Sequence, residues 1–237
     1  MANIGPRRPG NLDPLGVEIL EELRKDPNAD RIILGGNTAL QHYLEFRPSH
    51  DIDAWWSDVP TNDAKHAIHV AINTVAVRHG YRFRERAWGD TLSYEIQAPA
   101  REETIFSFQI AIRDVHLDPP VESSWPPIKI ETFRDNLGAK MNALVDRGAP
   151  RDFVDIYEVV KANLATTQDC WLLWQQKNPK GNVQEARRKA LHNLMQLEAR
   201  MPTATIPPPQ RAVATERREF FRSTFLRERE NEAEHGR

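Results

Sequence analysis

Apolar residues recur at helical spacing early in the chain. Leu15, Val17, Ile19, Leu20 and Leu23 form a stripe that predicts a helix over Leu15 to Lys25. Asp26-Pro27-Asn28 stops it. Arg31 to Leu34 reads as a short buried strand, Gly35-Gly36-Asn37 as a turn, and Thr38 to Phe46 as a short helix. A loop, Arg47-Pro48-Ser49-His50, leads into a second strand, Asp51 to Trp56. Asn62 to His79 carries the strongest helical pattern of the first half. Three strand-like runs follow, Tyr81–Trp88, Leu92–Gln97 and Thr104–Ile112; in the last, Phe106, Phe108, Ile110 and Ile112 alternate with other residues. A proline-rich link through Pro119-Pro120 and Pro126-Pro127 reaches Ile128-Lys129-Ile130. From Thr132 onward the pattern is helical, with segments near 132–147, 151–164, 168–177, 182–200 and, after Pro207-Pro208-Pro209, 211–231.

These elements predict an α/β half followed by a helical half, with no internal repeat. The expected layout is a flexible arm over 1–13, an α+β core over 14–130, and a helical domain over 131–201. A proline-rich linker and charged helix complete it over 202–237. At 237 residues the chain is long enough for one large or two small domains. No run nears the ~18 apolar residues of a membrane helix, and the N-terminus lacks the apolar stretch of a secretory signal. The single cysteine, Cys170, excludes an internal disulfide and reads as a reduced thiol in a cytoplasmic protein.

The 32 basic and 34 acidic residues carry no global polyanion signature, so any nucleic-acid contact has to be local. Two patches qualify. Arg82, Arg84 and Arg86 alternate along a predicted strand, near Arg78 and beside Tyr81, Phe83 and Trp88; they suit backbone phosphates, or form a solvated face with the aromatics turned inward. Arg217, Arg218, Arg222, Arg227 and Arg229 interleave with glutamates, a pattern of ion pairs or partner packing. His66 and His69 lack a third ligand in view and read as surface or packing residues.

The candidate chemistry starts at Asp51-Ile52-Asp53. Residues i and i+2 of a strand share a face, so the two carboxylates converge. Like charges so close are accounted for by a divalent cation such as Mg²⁺, which takes oxygen ligands and keeps substrate phosphates as the others. Gly35, Gly36, Asn37 and Thr38 precede it as a strand–turn–helix, where glycine permits close backbone approach. Downstream, Lys140 and Arg147 stand seven apart on one helix face, either for phosphate oxygens or as solvated cations. Asp152 and Asp155 lie i, i+3 near a helix start. Asp152 fits the helix dipole; Asp155, among Phe153, Val154, Ile156 and Tyr157, calls for a cation such as Lys140 or Arg151.

In order, the motifs GGNTAL, FRPSHDID, KMNALVDR and RDFVDIYEV resemble the AbiEii/AbiGii (MenT-like) nucleotidyltransferase toxins over about residues 31–160. The resemblance implies an α+β fold, with a nucleotidyltransferase-type small mixed sheet and flanking helices followed by a helical C-terminal part, and a Mg²⁺-dependent transfer from an NTP to a hydroxyl, with an RNA or tRNA 3′ end as acceptor. It also implies a cognate antitoxin. By position it makes Asp51 and Asp53 metal ligands, Gly36, Asn37 and Thr38 the phosphate turn, Lys140 the phosphate lysine, and Asp152 and Asp155 the later acidic pair. Arg47 and Ser49 match the loop before the carboxylates. Relatives often carry a third carboxylate on a later strand, where this chain has Gln109, with Asp114 as a substitute. Transfer to a small molecule or a protein, and a non-catalytic nucleotide- or RNA-binding module, are the competing expectations.

Overall fold

Alternation sorts the strands of the first half into one sheet with an apolar and a polar face. The computed structural model describes residues 1–2, 4–99, 103–113 and 115–227. The chain divides into two compact units, Asn3–Asn136 and Met1–Ala2 with Leu137–Arg237, which part inside a helix.

The first unit contains α1 (Pro14–Leu23), β1 (Ile32–Leu34), α2 (Gly36–Gln41), β2 (Asp51–Trp56) and α3 (Asn62–Arg78). Strands β3 (Arg82–Trp88), β4 (Thr91–Gln97), β5 (Thr104–Ala111), β6 (Val121–Glu122) and β7 (Lys129–Ile130) follow. The sheet runs β3-β4-β5-β2-β1-β7-β6. It is mixed: β2 pairs parallel with β5 and antiparallel with β1, while β1 pairs parallel with β7. Ile52, Ala54 and Trp56 of β2, Tyr94 and Ile96 of β4, and Phe106, Phe108 and Ile110 of β5 form the apolar face. Ile19, Leu20 and Leu23 of α1 and Ile68, Ile72 and Val75 of α3 complete that core.

Local signals set the helix ends. Asp13 accepts the Leu15 amide before Pro14 opens α1, and Thr61 caps α3 through the Ala64 amide. Gly80, at φ 66°, closes α3 with Tyr81 N–H on the Ala76 carbonyl (2.8 Å) and Gly80 N–H on Val77 (3.1 Å). The expected turn at 35–37 and helix from Thr38 to Phe46 come out differently. The turn doubles as the first helical turn, because Ala39 N–H already donates to the Gly35 carbonyl. The helix stops at Gln41, whose side-chain amide donates to the Arg47 carbonyl.

The segment expected to be a flexible arm is tied down over residues 7–12. Arg7 N–H donates to the His42 carbonyl, and Gly10 and Asn11 donate to Glu45. Leu12 forms a bridge with Ser49, and the Arg8 guanidinium lies over Trp125.

In the second unit, α4 (Phe133–Asp146) continues from the first, followed by α5 (Pro150–Lys161), α6 (Thr167–Lys177), α7 (Val183–Arg200) and α8 (Pro208–Phe220). The charged helix expected over 211–231 starts earlier and ends at Phe220. A wider turn over Phe221–Phe225 then buries Phe221 and Phe225 against Phe153 and Trp171. Residues from 228 on, Arg229 included, lie outside the described residues. Arg217 of α8 pairs with Glu158 of α5 (3.7 Å), and Arg222 of the wider turn pairs with Glu198 of α7.

Candidate active site on the polar face of the sheet

Strand β2 sends Asp51, Asp53 and Trp55 to the polar face while Ile52, Ala54 and Trp56 enter the core. The loop before it fixes Asp51: Ser49 is buried, and its hydroxyl donates to the Asp51 carboxylate at 2.9 Å. The double glycine then sets Asp53. Gly35 N–H donates to the Asp53 carbonyl (2.8 Å). Gly36 has φ 56°, and a Cβ there would stand 2.7 Å from Asp53 Cβ and 2.8 Å from its Cγ. No other residue lets the backbone pass so close to that carboxylate. A Cβ on Gly35 would in turn meet the Trp55 indole, 2.9 Å from Cε2.

The phosphate-turn side chains behave differently from the expectation. Thr38 is fully buried, and its hydroxyl donates to the Asp51 carbonyl (3.1 Å), a strut between α2 and β2 instead of a ligand group. Asn37 is buried too, and neither side-chain polar atom has a hydrogen-bond partner. Arg47 contributes its carbonyl to Gln41, and its guanidinium lies 5.8 Å over Phe46. His42, one turn on from Thr38, bonds the Thr38 carbonyl through Nδ1 (2.9 Å), and burial pushes its pKa down to about 4.

Register lines up the rest of this face. Asp53 faces Gln109 of β5, then Ser93 of β4 and Arg86 of β3. Asp51 faces Ser107, Glu95 and Arg84 in the same way. Arg82, Arg84 and Arg86 therefore share the face of the carboxylate pair, at the sheet edge. All three are exposed, with Glu95 at 3.9 Å from Arg84 and 3.5 Å from Arg86. Trp88 joins this row and is 54% exposed, while Phe83 packs inward against Tyr94. Asp114 lies outside the described residues.

In the second unit the acids and cations of the two motifs neutralise one another. Lys140 Nζ meets Asp155 Oδ2 at 2.7 Å, both side chains largely buried. Arg147 grips Asp152 with two bonds of 2.9 Å, and Asp152 also accepts the Ala149 amide at the start of α5. His69 bonds Glu85 (2.7 Å) and stacks with His66.

The described residues hold no group of three His, Cys, Asp or Glu suited to a metal. Asp51 and Asp53 still suit Mg²⁺: two hard oxygen donors on one face of β2 match its habit of taking one or two carboxylates and keeping substrate phosphates as further ligands.

The family model for the nucleotidyl transferase AbiEii toxin, of type IV toxin–antitoxin systems, matches residues 18–231. The chain belongs to this AbiEii family. It is a nucleotidyltransferase, and the match spans both units. Among solved structures, the crystal structure of JHP933 from Helicobacter pylori is similar. Its TM-score is 0.51 at 15% identity, over 89% of this chain and 90% of that one. A structure of a cytoplasmic RNA terminal U-transferase aligns with a TM-score of 0.25 at 12% identity, over 82% of this chain and 50% of that one. No match was found among curated proteins. The JHP933 likeness concerns the fold, and it agrees with the mixed sheet and helical part expected from the sequence. No helix among the described residues is long and apolar enough to cross a membrane.

Arg113, Glu131 and Asn136 stand beside this site, and none of the three belongs to a sequence motif. Each is a polar residue in an unremarkable local pattern. Only the sheet order, which brings β7 next to β1, places Glu131 against the glycine bend.

Proposed function

We propose that this nucleotidyltransferase moves a nucleotide from an NTP to an RNA 3′-hydroxyl, most of all that of a tRNA, in a Mg²⁺-dependent reaction. The observation that carries the reading is the packing of the Asp53 carboxylate on the Gly36 backbone, with Asp51 oriented beside it by Ser49. Asp51 and Asp53 would hold Mg²⁺, which when bound offsets the charge of the triphosphate in the in-line displacement. Asp53 would accept the proton of the attacking hydroxyl at its carboxylate. The Gly36–Thr38 turn would bind the β- and γ-phosphates through its backbone. Lys140 would carry positive charge for the leaving pyrophosphate, with Asp155 as its orienting partner; Asp152 plays that part for Arg147.

The exposed Arg82, Arg84 and Arg86 row with Trp88 supports an RNA acceptor, since it lines the same face as the carboxylates about 14 Å away at three strand spacings. Cations for phosphates and an aromatic for base stacking are what a single-stranded acceptor requires. The setting is a cytoplasmic toxin or phage-defence component, restrained by a cognate antitoxin. One observation favours a second reading. Gln109, exposed and in register with Asp53, stands where relatives often have a third carboxylate, which suits a module that binds nucleotides without transfer.

Labelled NTPs, Mg²⁺ and total RNA separate these readings. Label on RNA supports the proposal; label only on protein or a small molecule overturns the acceptor; binding without transfer favours the module. Asp51→Asn and Asp53→Asn should each lower transfer by at least ~100-fold with folding retained. Full activity in both variants would remove the carboxylate pair from the mechanism.

A further inference from the structure

Arg113, Glu131 and Asn136 form a buried polar chain that ends on the double-glycine bend. Glu131 lies one residue past β7, is 1% exposed, and uses all its polar groups. Its N–H donates to the Leu34 carbonyl (3.0 Å), and its carbonyl accepts the Tyr43 hydroxyl (2.7 Å). Its Oε2 accepts Asn136 Nδ2 at 2.9 Å, and its Oε1 pairs with Arg113. Asn136 is fully buried, and the same Nδ2 reaches the Gly36 carbonyl at 3.0 Å. At the other end, the Arg113 guanidinium lies 4.1 Å over the Trp55 ring, the indole that walls Gly35. The chain therefore touches both glycines, one through Trp55 and one through Asn136.

Stability alone is a poor reason for this arrangement. A buried ion pair is commonly replaced by apolar residues of similar volume at little cost or with a gain. Burial pushes Arg113 down to about 10, opposed by the charges of Asp135 and Asp53, so it stays cationic at neutral pH. Asn136, held by Glu131, bonds the backbone of Gly36, and Gly36 backs the Asp53 carboxylate.

We propose that Arg113, Glu131 and Asn136 are positioning residues for nucleotide transfer: they clamp Gly35 and Gly36, and through that backbone they hold the Asp53 carboxylate in its working orientation. The inference rests on the assignment of Asp51 and Asp53 as the metal-binding pair. It adds three residues that none of the motifs contains.

The test compares wild type, Asn136→Ala, Arg113→Lys and Asp53→Asn in the full-length protein. Three quantities are read: kcat and KM for the NTP, Mn²⁺ affinity by electron paramagnetic resonance without nucleotide, and the thermal unfolding midpoint. Loss of a partner that orients a metal ligand costs ~10–100-fold in activity or metal affinity. Asn136→Ala is therefore expected to lower kcat and weaken Mn²⁺ binding within that range, with KM changed less than about threefold. Arg113→Lys keeps the charge, loses the planar fork, and falls between it and wild type. A lower midpoint with unchanged kcat per folded molecule and unchanged Mn²⁺ affinity makes the chain merely structural and overturns the proposal. The Mn²⁺ readout decides even without turnover. Weakening in Asp53→Asn but not in Asn136→Ala overturns the positioning role. No weakening in Asp53→Asn overturns the metal-site assignment itself.

Discussion

Replacing Gly36 with alanine tests the geometry of the site most directly, because the fold supplies its own control. Gly36 and Gly80 both hold positive φ, 56° and 66°. A Cβ on Gly80 meets nothing within 4 Å, whereas one on Gly36 strikes the Asp53 side chain, with Cβ at 2.7 Å and Cγ at 2.8 Å. The left-handed backbone costs an L-residue roughly 1–2 kcal/mol at either position. Overpacking against β2 adds about 1–3 kcal/mol at Gly36 alone. Gly80→Ala should therefore lose roughly 1–2 kcal/mol and Gly36→Ala roughly 2–5 kcal/mol in urea unfolding. Transfer should separate the two further. The new methyl displaces the Asp53 carboxylate, and a displacement near 1 Å costs ~100-fold in rate, so Gly36→Ala should be nearly inactive while Gly80→Ala matches wild type. Equal stability losses in the two variants, with transfer intact in both, would refute the argument that Gly36 exists to let Asp53 lie against the backbone.

Two further expectations come from buried charge. His42 is held neutral by burial, with a pKa near 4 against about 6.5 for an unfolded imidazole. Below pH 6.5 the unfolded chain binds a proton that the folded one does not. Stability is therefore lost as the pH falls from ~6.5 towards ~4, by about 3 kcal/mol in full. Urea unfolding at pH 7 and pH 4.5 should show His42→Asn losing about 2–3 kcal/mol less than wild type over that interval; an equal loss would mean that the ring is not held neutral. In the helical unit, Lys140→Met leaves Asp155, 1% exposed, without its 2.7 Å partner and should cost about 3–5 kcal/mol, most of it restored by adding Asp155→Asn. A cost below about 1 kcal/mol for the single change would show that the pair is not desolvated.

The strands and helices were legible in the sequence because their periods are local. The alternation through Phe106, Phe108 and Ile110 marks β5, and the spacing over Asn62–Arg78 marks α3, each formed by neighbours a few residues apart. The shared face of Asp51 and Asp53 follows from the same period of two. The aromatic cluster of Phe220, Phe221 and Phe225 was not legible. It bends the last helix into a wider turn because those rings find Phe153, Tyr157 and Trp171 from distant helices. The N-terminal segment was misread for a related reason. Its Pro, Gly and Arg composition is that of a linker, but Glu45 and the His42 carbonyl, more than thirty residues on, hold its amides.

The sequence by itself determined the ingredients: two carboxylates in step on one strand, a double glycine ahead of them, and ordered basic and acidic motifs in helices downstream. Only the tertiary structure decided what each meets, since strand order is set by burial of the apolar face and not by spacing along the chain. It laid Gly36 on Asp53, turned the Thr38 hydroxyl into a strut, and brought Gln109 and the Arg86 row into register with the carboxylates. It also carried Glu131 and Asn136 about a hundred residues back to the Gly36 bend, a meeting that no local pattern encodes.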